Sequence, residues 1–205
     1  MREPFQRYPV TASYLAAVTG AALLMRFVFA DGMSAQVRES LSANPRNLAH
    51  HPVNALLGSA FVLDAADGAV FTAVSLACLA LCLGTFERTV GPWRAAAVVL
   101  TGHVTATLVA TAVIGTGAYL VGLRDAAHLG VAYAAFTSAG AVAVLLPTVL
   151  RAPWLALVVV YALLAGDWHG VVPEFTAIGQ VTAALTGAAC GAFALHRAYL
   201  ATGRA

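Results

Sequence analysis

Apolar residues fall in six long runs with short polar stretches between them, roughly Val10–Ala30, Ala69–Phe86, Trp93–Gly115, Ala126–Leu146, Pro153–Ala165 and Ala177–Ala194. Most approach the ~20 residues a helix needs to cross ~30 Å of hydrocarbon. The fifth is short and would need help from its neighbours or local thinning of the bilayer. The pattern predicts one all-α domain over residues 1–205, a polytopic bundle of six transmembrane helices. No internal repeat of the kind that builds many transporters is visible. One connection is long: Asp31–Gly68 contains an apolar stretch of its own, Val53–Leu63, which follows Pro52 and is too short to span. It predicts an interfacial or re-entrant helix. Pro92 and Pro153 begin runs, where a missing N–H costs nothing, and Pro147 closes the fourth.

Composition sharpens this picture. With 60% hydrophobic and 10% charged residues, the chain cannot be a water-soluble globule with a solvated surface. Every basic side chain apart from histidine is arginine. Arg2 and Arg7 precede the first run, Arg88 and Arg94 separate the second and third, Arg151 separates the fourth and fifth, and Arg197 and Arg204 follow the sixth. The alternate loops hold Asp31, Glu39, Asp64, Asp67, Asp125, Asp167 and Glu174, with Arg38, Arg46 and Arg124. Positive charge translocates poorly, so both termini are expected in the cytoplasm, in a multi-pass protein of the cell membrane. Val28-Phe29-Ala30 would satisfy a signal-peptidase rule, but the run is long for a cleaved signal and Arg26 interrupts its end, which predicts a retained first helix. Cys78, Cys82 and Cys190 all fall inside runs and predict small buried hydrophobes rather than a disulfide framework.

In lipid, helices associate where small residues let backbones approach. The sixth run carries Gly179, Ala183 and Gly187 at four-residue spacing, continued by Gly191. The fourth carries Gly130, Ala134 and Ala135, then Ser138, Ala139 and Gly140. These two runs are the best candidates for a tightly packed pair.

Four further stretches carry a resemblance. Ser59-Ala60-Phe61 is a small-residue/Phe turn, and the second run ends in Glu87-Arg88-Thr89-Val90-Gly91, a Glu-x-x-x-Gly. Gly130-Val131-Ala132-Tyr133-Ala134 opens the fourth run, and Gly179-Gln180 through Gly187 forms the small-residue row of the sixth. In this order and spacing the set resembles the rhomboid family from Ser59 to Ala194, and most closely divergent rhomboid-like proteins of GC-rich bacteria. Rhomboids are intramembrane serine proteases, in which a serine is made nucleophilic by a histidine base and donors hold the oxyanion. The resemblance puts the serine position at Ala132 and the histidine position at Gln180. Counting back from Glu87 puts the oxyanion His-x-x-x-Asn pair at Phe71 and Ser75. Alanine has no nucleophile, and a glutamine amide accepts no proton at neutral pH. His50-His51-Pro52-Val53-Asn54 reads as His-x-x-x-Asn but lies several helical turns from the required distance and contains a proline. The resemblance therefore implies a rhomboid-like fold without the dyad, a pseudoprotease that binds transmembrane segments of client proteins. It also implies that Glu87 and Gly91 are structural, with Glu87 bonding loop backbone or pairing with Arg94.

Other polar residues keep two alternatives open. Ser138, beside Thr137, is a weak candidate for a relocated nucleophile in an active intramembrane protease, but the sixth run has no histidine to serve it. Such hydroxyls usually bond the carbonyl four residues back. His103 is the one histidine inside a run, and would serve a small transporter or ion-handling bundle if it is not simply bonded across to another helix. His50, His51, His128 and His169 share the external side with Asp64, Asp67, Asp167 and Glu174, but form no zinc-ligand motif and read as a solvated surface. No metal or cofactor is expected. Arg26 is expected to snorkel, and Trp93, Trp154 and Trp168 to sit at interfaces. The bilayer is the partner that composition dictates. No phosphate loop, dinucleotide fingerprint or nucleic-acid face is present.

Overall fold

The structure, a computed structural model, describes residues 7–28, 37, 40–63, 69–116, 130–166, 168, 169 and 172–201. Helix α1 spans Pro9–Phe27 and a short α2 spans Pro45–His50. Helix α3 covers Ala69–Val90 with a π turn at Leu79–Leu83, followed by α4 (Pro92–Gly115), α5 (Val131–Ala143), α6 (Thr148–Ala165) and α7 (Phe175–Ala201). A two-residue antiparallel pair, Trp168–His169 with Val172–Pro173, precedes α7. Five of these helices are long and apolar enough to cross a membrane, and α5 is a shorter apolar one. The chain folds as a polytopic all-α bundle.

Helix α5 is the pillar. Every residue from Val131 to Ala143 except Val142 is buried. At 13 residues it is ~20 Å long, too short to cross the hydrocarbon alone. A helix sheathed by protein on all sides has no need to reach both interfaces, because no lipid touches its ends. The fourth apolar run predicted Ala126–Leu146; the helix begins at Val131, and residues 117–129, with His128, Arg124 and Asp125, lie outside the described residues. The N–H of Gly130, at the start of α5, donates to the Ser59 carbonyl at 2.9 Å. Ser59 lies in a 3-10 turn (Ser59–Phe61) that follows a π turn (Asn54–Gly58). The apolar part of the long connection is thus folded inward, with Ala55, Ser59, Ala60 and Val62 buried. Upstream, Asn44 caps α2 by accepting from the Asn47 N–H at 2.8 Å, and Thr111 on α4 donates to the Ala43 carbonyl at 3.2 Å.

Helix α6, the fifth apolar run, corrects the sequence reading. It begins at Thr148, not Pro153, and Pro153 sits inside it. The proline deletes one bond to the carbonyl of Val149, a residue 77% exposed, so the loss falls at an open surface. At 18 residues, α6 needs no thinned bilayer. Trp154 ties it inward, its indole Nε1–H donating to the Ala139 carbonyl of α5 at 2.8 Å.

Small residues set the closest approach, between α5 and α7. A Cβ on Gly140 would strike the Ala184 carbonyl, one on Gly187 the Thr137 carbonyl, and one on Gly179 the Tyr133 hydroxyl. A Cβ on Gly191 would lie 3.0 Å from the Ala141 Cα. From Gly179 against Tyr133 to Gly191 against Ala141 the contacts advance along both helices, so α5 and α7 run parallel with backbone against backbone. Ala134 and Ala183 are fully buried.

Candidate functional site

Ala132 and Gln180 lie near the N-terminal ends of this pair of helices, 7% and 6% exposed. Ala132 belongs to a buried cluster with Tyr133, Phe136, Ala139, Ala183 and Ala184, against which Phe71 of α3 packs. Gln180 follows Gly179, whose Cα faces the Tyr133 hydroxyl. Gln180 Oε1 is buried with no hydrogen-bond partner among the described residues. Neither side chain supplies a nucleophile or a base.

Ser138 does not meet a histidine in the described contacts. Its hydroxyl donates to the Ala134 carbonyl at 2.7 Å, and Thr137 does the same to Tyr133. This i−4 bonding satisfies a hydroxyl inside a helix without a partner elsewhere.

His103 brings a pair together that the sequence did not suggest. Its Nε2 lies 2.8 Å from the Leu56 carbonyl and 3.4 Å from Ser59 Oγ. Gly130 packs against the imidazole, and Tyr133 tilts over it with ring centroids 6.2 Å apart. A carbonyl only accepts, so Nε2 must carry the proton and donate to Leu56. It then has no lone pair with which to take the Ser59 proton. Nδ1 holds the lone pair, and it has no partner among the described residues. The arrangement fastens the inward-folded turn to α4.

Glu87 is 3% exposed and, of the two kinds of partner expected for it, takes backbone. Its carboxylate accepts from the Val10 N–H (2.9 Å), the Thr11 N–H (2.9 Å) and the Thr11 hydroxyl (2.7 Å). Arg94 does not pair with it; that guanidinium donates to the Val90 carbonyl at 3.1 Å. Gly91 joins α3 to α4 with φ 89° and ψ 162°, a region only glycine occupies readily.

With this scaffold in view, the comparison with known families decides. A model of rhomboid-like proteins, Rhomboid_2, matches residues 5–199. The chain belongs to that family. No curated protein and no solved structure matches it.

This rhomboid-like bundle has a cleft of about 420 Å³ between α3 and α6, floored by Ala135, Phe136 and Ala139 of α5. Its walls include Ser75, Cys78 and Cys82 on one side and Leu157 and Tyr161 on the other. Cys78 and Cys82 are free thiols with sulfurs 3.7 Å apart. At the outer end three rings close together: Phe71 on Tyr161 at 6.2 Å, Phe136 on Tyr161 at 6.1 Å and Phe71 on Phe136 at 6.4 Å. The ring at position 71 thus serves as packing.

Among the described residues no group of three or more His, Cys, Asp or Glu side chains is placed to hold a metal ion. His50 and His51 are exposed at the end of α2, and the side chain of His169 lies outside the described set. Sequence reasoning missed Thr11, Tyr133, Tyr161 and the Ser59–His103 contact. The one available signal was the density of polar and aromatic residues inside otherwise apolar runs, which in lipid must find partners.

Proposed function

We propose that this rhomboid-like protein is non-catalytic and holds transmembrane segments of client proteins in the cleft between α3 and α6. The observation that carries the reading is the apolar cleft itself, floored by Ala135, Phe136 and Ala139, in a bundle where the buried positions expected to hold hydroxyl and base are Ala132 and Gln180. An apolar helix entering such a cleft exchanges lipid contacts for close packing against α5, and no covalent step follows. The oxyanion-equivalent positions, Phe71 and Ser75, support the same reading: the first is occupied in ring stacking, and the second lines the cleft. The protein sits in the cell membrane with its arginine-rich end and both termini in the cytoplasm.

One contact favours a second reading. Ser59 and His103 are the components of a dyad at 3.4 Å, and an intramembrane serine hydrolase would result if the imidazole released Leu56. The transporter reading has less support, since His103 is 1% exposed and enclosed by Gly130, Tyr133 and Leu56.

Two measurements on the purified protein decide between them. Fluorophosphonate labelling beside an active rhomboid is expected to leave this protein unmarked; a label on Ser59 or Ser138 that disappears with His103→Ala establishes the enzyme. A photocrosslinker at Leu157 in the cleft is expected to capture transmembrane segments in native membranes, whereas one at exposed Leu185 on α7 is not. Equal capture from both positions would remove the case for the cleft.

A further inference from the structure

A second concavity lies between the N-terminal half of α4 and the C-terminal half of α7. It encloses about 720 Å³, within the range of small-molecule sites. Ala97, Thr101, Phe193 and Leu200 form an apolar trough, with Arg94 and Arg197 among its lining. Both arginines belong to the arginine-rich end of the bundle, one in the first turn of α4 and the other near the end of α7.

Both guanidiniums have donors to spare. Arg94 uses Nη1 on the Val90 carbonyl, and Arg197 lies over the Phe193 ring at 5.3 Å. Among the described residues neither meets a carboxylate, and Glu87, close by in sequence, is occupied by α1. Each guanidinium carries five N–H donors in a planar fork suited to phosphate oxygens. Two cations that share a groove without a counterion repel each other, and an anion relieves that repulsion.

We propose that this groove binds an anionic glycerophospholipid of the adjoining leaflet. Its phosphate lies on Arg94 and Arg197, and an acyl chain runs along Ala97, Thr101 and Phe193. The two halves of the groove select this occupant together. A soluble anion makes no use of an apolar trough that faces lipid, with Phe193 63% and Leu200 52% exposed. An apolar peptide segment supplies no charge for the arginines, and a zwitterionic headgroup brings a cation of its own. Basic pockets between transmembrane helices at the headgroup level recognise acidic lipids on these grounds. The proposal is independent of what the cleft between α3 and α6 holds.

The test is native mass spectrometry of the purified full chain, delipidated and then titrated with phosphatidylglycerol or phosphatidylcholine. The wild type should retain phosphatidylglycerol about tenfold better than phosphatidylcholine. Arg94→Gln/Arg197→Gln should lose that preference. Arg88→Gln/Arg151→Gln, which removes the same charge from exposed arginines outside the groove, should keep it. Ala97→Trp fills the trough from an exposed position and should weaken retention with both arginines intact. Should the double variant fold poorly, Arg197→Gln alone removes an exposed charge and should lower the preference by about half its logarithm. Equal retention of the two lipids by the wild type, equal losses in the two double variants, or undiminished retention in Ala97→Trp would each overturn the proposal.

Discussion

Removing the carboxylate of Glu87 should detach the start of α1 from the bundle, and the size of the effect follows from where its bonds go. Pro9 occupies the first helical position and has no N–H. The next donors are Val10 and Thr11, both bonded to Glu87, while Ala12 N–H reaches the Tyr8 carbonyl at 2.9 Å. Tyr8 at the N-cap provides no side-chain cap, so a residue 76 or more positions away does that work. Bonds to a charged acceptor contribute roughly 1.5–3 kcal/mol each when buried, and less where water can replace them. The two bonds to Thr11 are buried and the one to Val10 partly so. Glu87→Ala is therefore expected to destabilise by about 3–5 kcal/mol. Glu87→Gln should lose a smaller part of this, because its carbonyl oxygen can keep both Thr11 bonds while its NH2 group faces the Val10 N–H and the charge is gone. Thr11→Val, which deletes the hydroxyl bond alone, should cost about 1–1.5 kcal/mol in the wild type and little in the Glu87→Ala background, a coupling near 1 kcal/mol. Arg94→Gln should leave this end unchanged. The assay is reversible unfolding in mixed micelles followed by tryptophan fluorescence. An additive cycle, or a Glu87→Gln variant as stable as wild type, would refute the capping argument.

The remaining predictions probe packing, backbone, gating and orientation. Gly187→Ala should lower stability by about 2–3 kcal/mol through overpacking on the Thr137 carbonyl, whereas Gly20→Ala, with nothing within 4 Å, should be neutral or slightly stabilising by helix propensity; equal effects in unfolding assays would contradict the contact. Gly91→Ala should cost about 1–3 kcal/mol although space is open there, because the penalty lies in φ and not in a clash. Tyr161→Leu removes two ring contacts at the cleft mouth, about 1 kcal/mol each, and should speed reaction of Cys78 or Cys82 with a lipid-soluble maleimide, mapped by mass spectrometry; an unchanged rate would mean the rings do not govern access. A C-terminal fluorescent protein should mature and a C-terminal alkaline phosphatase should stay inactive, and the reverse would invert the proposed orientation.

Hydropathy made the bundle legible because five helices face lipid over much of their length, and that leaves long apolar runs. It misjudged α5 and α6 for opposite reasons. Helix α5 is apolar because protein encloses it, and an apolarity count does not separate protein from lipid surroundings, so the run Ala126–Leu146 read as a full span where the described helix covers Val131–Ala143. Helix α6 starts with Arg151 and Pro153 in its first two turns, which read as loop; Arg151 escapes outward by bonding the Leu146 carbonyl at 3.0 Å. Helical spacing of Gly179, Ala183 and Gly187 pointed to a packing face, because the period of a helix is written in neighbouring residues. Contacts such as Thr11 with Glu87, or Ser59 with His103, join residues 76 and 44 positions apart and leave no local period to read.

The proposed non-catalytic role puts Phe71, Phe136 and Tyr161 at the centre of binding. Holding a client requires that α3 and α6 separate, and in the closed bundle their outer halves are joined by these rings. If the C-terminal half of α6 moves outward while Trp154 stays bonded to Ala139, the two ring contacts of Tyr161, worth about 2 kcal/mol together, hold the open state to roughly 3%. The apparent affinity for a client is then about thirtyfold weaker than the intrinsic affinity of the open cleft, since binding must first draw on that minor state. A protease tolerates such a gate because turnover removes the product. A binding protein instead keeps its client for as long as packing in the cleft outweighs reclosure of the rings, and the same contacts set both capture and release. Tyr161→Leu should accordingly tighten client crosslinking at Leu157 while accelerating thiol labelling, a joint gain expected only if the rings oppose the open state.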